Sequence, residues 1–442
     1  MNPTPPRDRF LGVILLATAV FACALVAGSN LLVDPFGAWR LVDIPGFNTW
    51  KPALQRRVKL AKAHDLRRLA PSAIVLGTSR SQIAMRPSHP GWAVPLERRY
   101  NAAFDGATTW EMEAYLRHAH AIRPLKQVVL GLDTWQLGRG PASVRPDFDA
   151  SQLKTSAGFF QTVAVWASDA RLLLSLDTLW LAAETLRAQD HNTPEWLAPD
   201  GQRLGPVFFR QIDTVFQNRG TGAYLRDVDR REAGYKLPDP PGRRPAPVAA
   251  QASGQNVLTS FDHIARIVAF CRDQGIDLRI FITPAHAHQL ELSAEVGEWP
   301  VIEQGKRDLV VLLARDATDH PGERPFPLVD FSGYSAVTTE EVPPIGSKVE
   351  MAYYWDSSHF KEIVGDWILD RLFGVYRPEN PPPAGFGVAL TPDTVEKFLA
   401  ETRQAHEQYC LEHPGDARFI AATVTEVRQK KAALAAARSA GG

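Results

Sequence analysis

Ala73-Ile74-Val75-Leu76-Gly77-Thr78-Ser79-Arg80-Ser81 is the stretch from which the rest of the chain can be read. Its first four residues are apolar, and two are β-branched, which predicts a short buried strand. That strand runs straight into a loop of small residues carrying Ser79. In open α/β sheets, ligands gather at the carboxyl ends of strands. A serine there is exposed, and the backbone amides opening the next segment can stabilise an oxyanion. The same Gly-Thr-Ser-Arg-Ser run also suits an ordinary helix cap, so residue type alone leaves both roles open.

The pattern repeats outward from this point. Residues 54–69 read as a basic helical stretch, broken by Pro71-Ser72. A helix is predicted over 109–121, then a strand at Gln127-Val128-Val129-Leu130-Gly131. After an interruption come a helix over 257–273, a strand over 278–282, a helix over 302–314 and a strand over 327–331. A further helix covers 361–372, and helical, charged residues fill 394–440. Strands alternating with helices predict the α/β class, a three-layer α/β/α sandwich around a parallel sheet. The interruption is of two kinds. Residues 159–189 are strongly helical, with Trp166, Trp180 and Leu181 expected to bury one face of a helix pair. Residues 190–253 are rich in Pro, Gly and Arg, with Pro238, Pro240, Pro241, Pro245 and Pro247 close together. A structureless stretch of that length is uncommon in a compact core, so 150–253 reads as an insertion packed over one edge of the sheet.

The N-terminus is of another character. Between Phe10 and Val33 no residue is charged, Arg7 and Arg9 precede the run, and Asp34 follows it. About 20 apolar residues suffice for a helix to cross roughly 30 Å of hydrocarbon. The basic flank predicts a cytoplasmic start, with everything after Asp34 on the far side. Small residues at Ala22-Cys23-Ala24 and Val26-Ala27-Gly28 offer the alternative of a cleaved signal peptide. They lie inside the run, however, and the run is long for such a signal.

Composition removes other classes. The 442 residues hold 49 basic and 49 acidic side chains, a net charge of +0. That leaves no basic excess for neutralising nucleic-acid phosphates. No Gly-rich phosphate loop follows any predicted strand. Of the 3 cysteines, Cys23 lies in the apolar run, and a Cys271–Cys410 bridge is permitted but not demanded. No Cys/His cluster has zinc spacing, and neither metal nor cofactor is expected.

A serine hydroxyl needs a base, and Asp356-Ser357-Ser358-His359 supplies one. A spacing of three lets the carboxylate fold back onto the imidazole, fix its tautomer and stabilise the imidazolium formed on taking the Ser79 proton. The aromatic run Tyr353-Tyr354-Trp355 before it and Phe360 after it suggest a partly buried pair. A surface Asp capping the next helix beside a neighbouring His fits the same residues.

Taken in order, these motifs resemble the SGNH/GDSL hydrolase superfamily. The features are the strand into Gly77-Thr78-Ser79-Arg80-Ser81, then Asn101-Ala102-Ala103-Phe104-Asp105-Gly106, then the strand into Gly131-Leu132-Asp133. Pro284-Ala285-His286 and Asp356-x-x-His359-Phe360 complete the series. The apolar helix followed by Asp34-Pro35 is similar to the membrane-anchored branch, which includes alginate O-acetylation proteins and the D-alanyl transfer protein of teichoic acid modification. The resemblance spans roughly residues 10–375 without 150–253.

It implies Ser79 as nucleophile, His359 as base, Asp356 as the group orienting the base, and an oxyanion hole involving Ser79 and Gly106. The family carries an Asn in its third block, where this chain has Asp133, whose carboxylate would repel an oxyanion if ionised. Asn101 is the candidate to take over that donor role. Arg80, Asp133, His286 and Trp355 are candidate substrate contacts, although an ion pair of Arg80 with Asp133 or Asp105 is the plainer reading, a solvated loop position suits His286 as well, and core packing is the plainer role for Trp355.

The implied function is acyl transfer or ester hydrolysis on a cell-envelope or exported polysaccharide. Its partners would be that polysaccharide or an acyl donor, the membrane, and a membrane-bound O-acyltransferase. The implied location is the bacterial inner membrane, single-pass, with the main domain in the periplasm and the site held close to the membrane face. A non-catalytic scaffold of the same fold, binding glycan or a membrane partner, is the alternative. The expected organisation is a cytoplasmic N-terminus at 1–9, a span at 10–33, the main domain at 51–149 and 254–377 around the 150–253 insertion, and a linker with C-terminal helices at 378–442.

Overall fold

The computed structural model describes residues 6–138, 140, 147–154, 158–189, 197–212, 214–237 and 258–440. They form two compact units. One is drawn from 1–70, 117–123 and 147–195, and the other from 71–116, 124–146 and 196–442.

The second unit is built on a six-stranded sheet in the order β2-β1-β3-β4-β5-β6. Its strands are β1 (Ala73–Leu76), β2 (Arg99–Asn101), β3 (Gln127–Leu132), β4 (Asp277–Ile282), β5 (Leu328–Asp330) and β6 (Val388–Ala389). The first five run parallel, with Val75 opposite Val129, Leu130 opposite Ile280 and Ile282 opposite Asp330. The β6 strand pairs antiparallel with β5, so the sheet is mostly rather than wholly parallel. From β1 the chain steps outward to β2 and then returns to the other side of β1 for β3. The carboxyl end of β1 therefore lies at a topological switch, where the connections diverge and leave a crevice. Every residue of β1 and β3 is buried, as expected for strands covered on both faces.

Helices α1 (Pro6–Val33) and α2 (Val58–Leu69) precede β1, and α3 (Ser79–Ala84) follows it directly. Next come α4 (Thr109–Ile122), α5 (Phe159–Leu173), α6 (Leu176–Arg187), the short α7 (Gly205–Val207) and α8 (Thr214–Lys236). The C-terminal half adds α9 (Ser260–Asp273), α10 (Ala287–Glu295), α11 (Trp299–Asp319), α12 (Glu362–Phe373), α13 (Val395–Glu412) and α14 (Pro414–Ala440). The α12 helix sends Val364, Ile368, Leu369 and Leu372 into the main core beside Val75, Val129 and Phe281. Gly365 lets it approach α3, since a Cβ there would collide with the Ala84 carbonyl.

Three parts depart from the sequence expectation. Strands β2 and β6 are too short, at 3 and 2 residues, to leave an alternation pattern. The α10 helix follows Pro284 within a few residues, where a loop was expected. Within the stretch expected to be Pro- and Gly-rich and irregular, α8 is helical on both sides of Gly220 (φ 74°). It buries Thr221, Tyr224, Leu225 and Val228, an i, i+3, i+4, i+7 spacing that its many arginines obscure. The proline cluster from Pro238 to Pro247 lies outside the described residues. The stretch expected as one insertion is also divided: its residues up to 195 group with the first unit and those from 196 with the sheet.

In the first unit, α1 contains the run Phe10–Val33, a helix long and apolar enough to cross a membrane. Asp34 follows it with φ 48°, and its carboxylate accepts from the backbone N–H groups of Ala38, Trp39 and Arg40. The chain therefore turns sharply on leaving the helix.

Candidate active site

Thr78 and Ser79 change the chain from strand to helix. Thr78 keeps extended φ/ψ and caps α3, its Oγ1 accepting from the Arg80 N–H at 3.4 Å. Ser79 is then the first residue of α3, so its N–H is one of those a helix start leaves without an intrahelical partner. Glycines at the strand ends allow α3 to sit this tightly: a Cβ at Gly77 or Gly131 would collide with the Ser81 side chain.

The other half of the site is a loop closed on itself. Tyr354 and Phe360 form an isolated antiparallel bridge, and the Trp355 N–H donates to the His359 carbonyl at 2.8 Å. Inside the loop, Asp356 Oδ1 accepts from the N–H groups of Ser358 (2.7 Å) and His359 (2.9 Å). The imidazole folds back so that Nδ1 lies 2.8 Å from Asp356 Oδ2 and 3.1 Å from Oδ1. Its Nε2 lies 2.8 Å from Ser79 Oγ. Three residues separated by up to 280 positions in sequence thus form one continuous hydrogen-bonded chain.

Burial grades along that chain. Asp356 is fully buried, while Ser79 and His359 are half-buried, so the serine end is reachable and the carboxylate end is dry. Burial alone would raise the Asp356 carboxyl. The adjacent His359, its hydrogen bond, and the two backbone N–H groups outweigh burial and hold the carboxyl below its ordinary value. The carboxylate is therefore ionised at neutral pH and available to stabilise an imidazolium.

The residues around this chain lock it in place. Arg80 donates from Nε to the Ser358 carbonyl at 2.9 Å, and its guanidinium pairs with Asp133 at 3.2 Å. It thereby ties the His loop to α3. Asp133 is itself buried, accepting from Thr78 Oγ1, Trp135 Nε1 and Thr283 Oγ1 at 2.9, 3.1 and 2.7 Å. Gln289 donates to Ser357 Oγ at 2.8 Å. Asp105 pairs instead with Arg203.

Several sequence expectations are corrected by this arrangement. Asn101 does not supply a side-chain oxyanion donor, because its amide donates to the Ser81 carbonyl (2.9 Å) and the Met85 carbonyl (2.8 Å), tying down the end of α3. His286 is no substrate contact: it is fully buried, bonds the Glu340 carbonyl through Nε2 and caps α10 through Nδ1. Burial, and then the neighbouring His288, pushes its pKa down to about 3. Trp355 is 1% exposed and stacks on Phe209 at 5.0 Å. For Arg80 the plainer reading holds: it pairs with Asp133 at 3.2 Å, so both side chains are engaged within the protein. Gly106 occupies a turn after β2 with φ 55°, the left-handed region that favours glycine.

Phe209 was not expected near the site. It joins Ile83, Phe216, Tyr224, Val228 and Trp355 in a single cluster, and its ring lies 6.1 Å from that of His359. The only sequence signal is the Phe208-Phe209 pair within a stretch otherwise rich in Arg and Gly.

Among the described residues, one group could converge on a metal ion: Glu291, His406 and Cys410. They share no residue with the Ser–His–Asp chain, and their contacts are those of a hydrogen-bonded hub, with Tyr334, His406 and Cys410 all directed at the Glu291 carboxylate. Cys271 and Cys410 are unbridged thiols.

The Ser79–His359–Asp356 chain brings together the groups that a nucleophilic acyl-transfer centre needs: a hydroxyl, an imidazole within hydrogen-bond reach of it and a carboxylate on the far side of the imidazole. No family model matches the chain, and no curated protein matches it.

Proposed function

We propose that this protein is a membrane-anchored serine acyltransferase or esterase of the SGNH type, with a three-layer α/β/α core, acting on ester groups of a cell-envelope polysaccharide. The observation that carries the reading is the unbroken chain Ser79 Oγ–His359–Asp356, with both links at 2.8 Å. His359 takes the Ser79 proton as the oxygen attacks the acyl carbon. The resulting imidazolium returns the proton to the leaving oxygen, and an acyl-Ser79 ester forms. A sugar hydroxyl or water, deprotonated by the same imidazole, then releases the acyl group. The backbone N–H of Ser79 is the candidate oxyanion donor within α3, and Gly106 the candidate on the neighbouring turn. The carboxylate of Asp133 does not oppose this chemistry, because its oxygens are already engaged by Arg80, Thr78, Trp135 and Thr283.

Two features support the setting. The run Phe10–Val33 is of membrane-crossing length, and the arginines before it favour an extracytoplasmic main domain. The acyl donor and the O-acyltransferase partner follow from the family resemblance. The test is turnover of a chromogenic acetyl ester by the full-length chain in detergent, beside Ser79→Ala and His359→Ala. Turnover lost in both variants supports the reading. Equal background in all three folded proteins, with no labelling of Ser79 by a fluorophosphonate, favours a non-catalytic scaffold instead.

A further inference from the structure

The α5–α6 pair carries a face that the protein's own core does not use. The buried side of the hairpin comprises Val165, Ser168, Thr178, Ala182 and Thr185. Leu172 and Leu181 pack on the small cluster of Phe36, Ala38 and Ala53. On α2, Arg67 pairs with Asp169 at 2.8 Å. The outward side is apolar: Phe159, Phe160, Val163 and Trp166 on α5, and Leu176 and Trp180 on α6, are 40–86% exposed. Monomeric soluble surfaces seldom gather so many large apolar groups, and such patches mark interaction sites.

The same unit shows what adjoins this face. Asn30, in the last turn of α1, is fully buried. Its side-chain amide donates to the carbonyls of Leu173 (2.8 Å) and Ser175 (3.0 Å), the residues that turn α5 into α6. The hairpin is thus fastened to the end of a helix long and apolar enough to cross a membrane. Around that attachment, Leu32, Leu41, Ile44 and Leu174 are 50–64% exposed, so the apolar surface of α1 continues onto the hairpin. Indoles concentrate where apolar and polar zones meet, and Trp166 and Trp180 both lie on this exposed face. Arg171 and Arg187 are exposed on the hairpin, placed to meet lipid phosphates. At 15 and 12 residues, α5 and α6 are too short to span a bilayer, but they suit lying in its surface.

We propose that the α5–α6 hairpin is a second membrane-contacting element, lying in the lipid interface beside α1 with its Phe/Trp/Leu face among the acyl chains. The proposal rests on reading α1 as a membrane span. A helix that only spans can rotate about its axis, whereas a span with a flanking interfacial hairpin holds this unit in one orientation at the surface.

The test uses the full-length chain with its three native cysteines replaced by serine, reconstituted in phosphatidylcholine–phosphatidylglycerol vesicles. Single cysteines carrying an environment-sensitive fluorophore are placed by Phe160→Cys and Leu176→Cys. Leu16→Cys marks α1, and Val311→Cys marks an exposed position on α11. The expected result is blue-shifted emission at 160 and 176, quenched by brominated lipid as fully as at 16, with no change at 311. Quenching at 16 with solvent-like emission at 160 and 176 would overturn the hairpin proposal and leave the span intact. Blue-shifted but unquenched emission at 160 and 176 would assign the face to a second copy or another protein, which also overturns it. Solvent-like emission at 16 would remove the span itself, and the proposal with it.

Discussion

Replacing Asp356 with Asn tests the site most sharply, because the structure dictates which way the amide must face. Oδ1 of Asp356 accepts the N–H groups of Ser358 and His359 at 2.7 and 2.9 Å. In Asp356→Asn only the amide oxygen can keep those two bonds, so the NH2 group falls where Oδ2 was, 2.8 Å from His359 Nδ1. That NH2 is a donor. It forces His359 to present a lone pair at Nδ1 and to carry its proton on Nε2, where it faces Ser79 Oγ at 2.8 Å. The imidazole then donates to the serine instead of accepting from it, and the base is lost although every heavy atom stays in place. Such a tautomer reversal costs about 10⁴-fold in rate, equivalent to about 5 kcal/mol of barrier. The assay is the second-order rate of fluorophosphonate labelling at Ser79, which needs no natural substrate, followed beside ester turnover. Labelling within tenfold of the parent, in a variant that still unfolds cooperatively, would refute the reasoning and reduce Asp356 to a loop-closing residue.

Two further outcomes follow from the surroundings of the site. Asp133→Ala leaves Arg80 buried without its counter-charge, so chemical denaturation should show a loss of about 3–5 kcal/mol. Ser79 labelling should slow in step, because Arg80 also holds the Ser358 carbonyl; unchanged stability would mean that solvent already screens the pair. His288, whose pKa burial alone would lower, is pushed up to about 9 by Asp229 and Asp416. Its folded value lies above the ordinary 6.5, so its contribution is complete below that pH and is lost as pH rises through about 9. That contribution is about 3 kcal/mol. Urea midpoints between pH 6 and 10 should fall accordingly, and His288→Gln should flatten that slope; a slope that persists in the variant assigns it to other groups.

Much of this protein is readable along the chain because its signals are local. Four apolar residues ending at Gly77 specify a buried strand and its exit without reference to anything distant. The charge-free run from Phe10 to Val33 specifies a helix of membrane-crossing length by length and polarity alone. The spacing of Asp356 and His359 already permits a carboxylate–imidazole pair, because three residues of loop bring their side chains together. Whether that pair meets Ser79 is another matter. It requires β1 to emerge at the sheet's switch point, and it requires the Tyr354–Phe360 bridge to close the His loop.

Tertiary structure alone decided the roles of the polar residues nearby. A side chain such as Asn101, His286 or Arg80 can serve substrate or scaffold with equal chemical fitness. The choice depends on which carbonyls and carboxylates the fold brings within 3 Å, and sequence spacing does not encode that. Trp355 was lost to the core for the same reason: Phe209 arrives from a segment whose apolar spacing is masked by arginines. The exposed face of α5 and α6 likewise reads as core in one dimension. Only packing shows that the core takes the other side of the hairpin and leaves this one exposed.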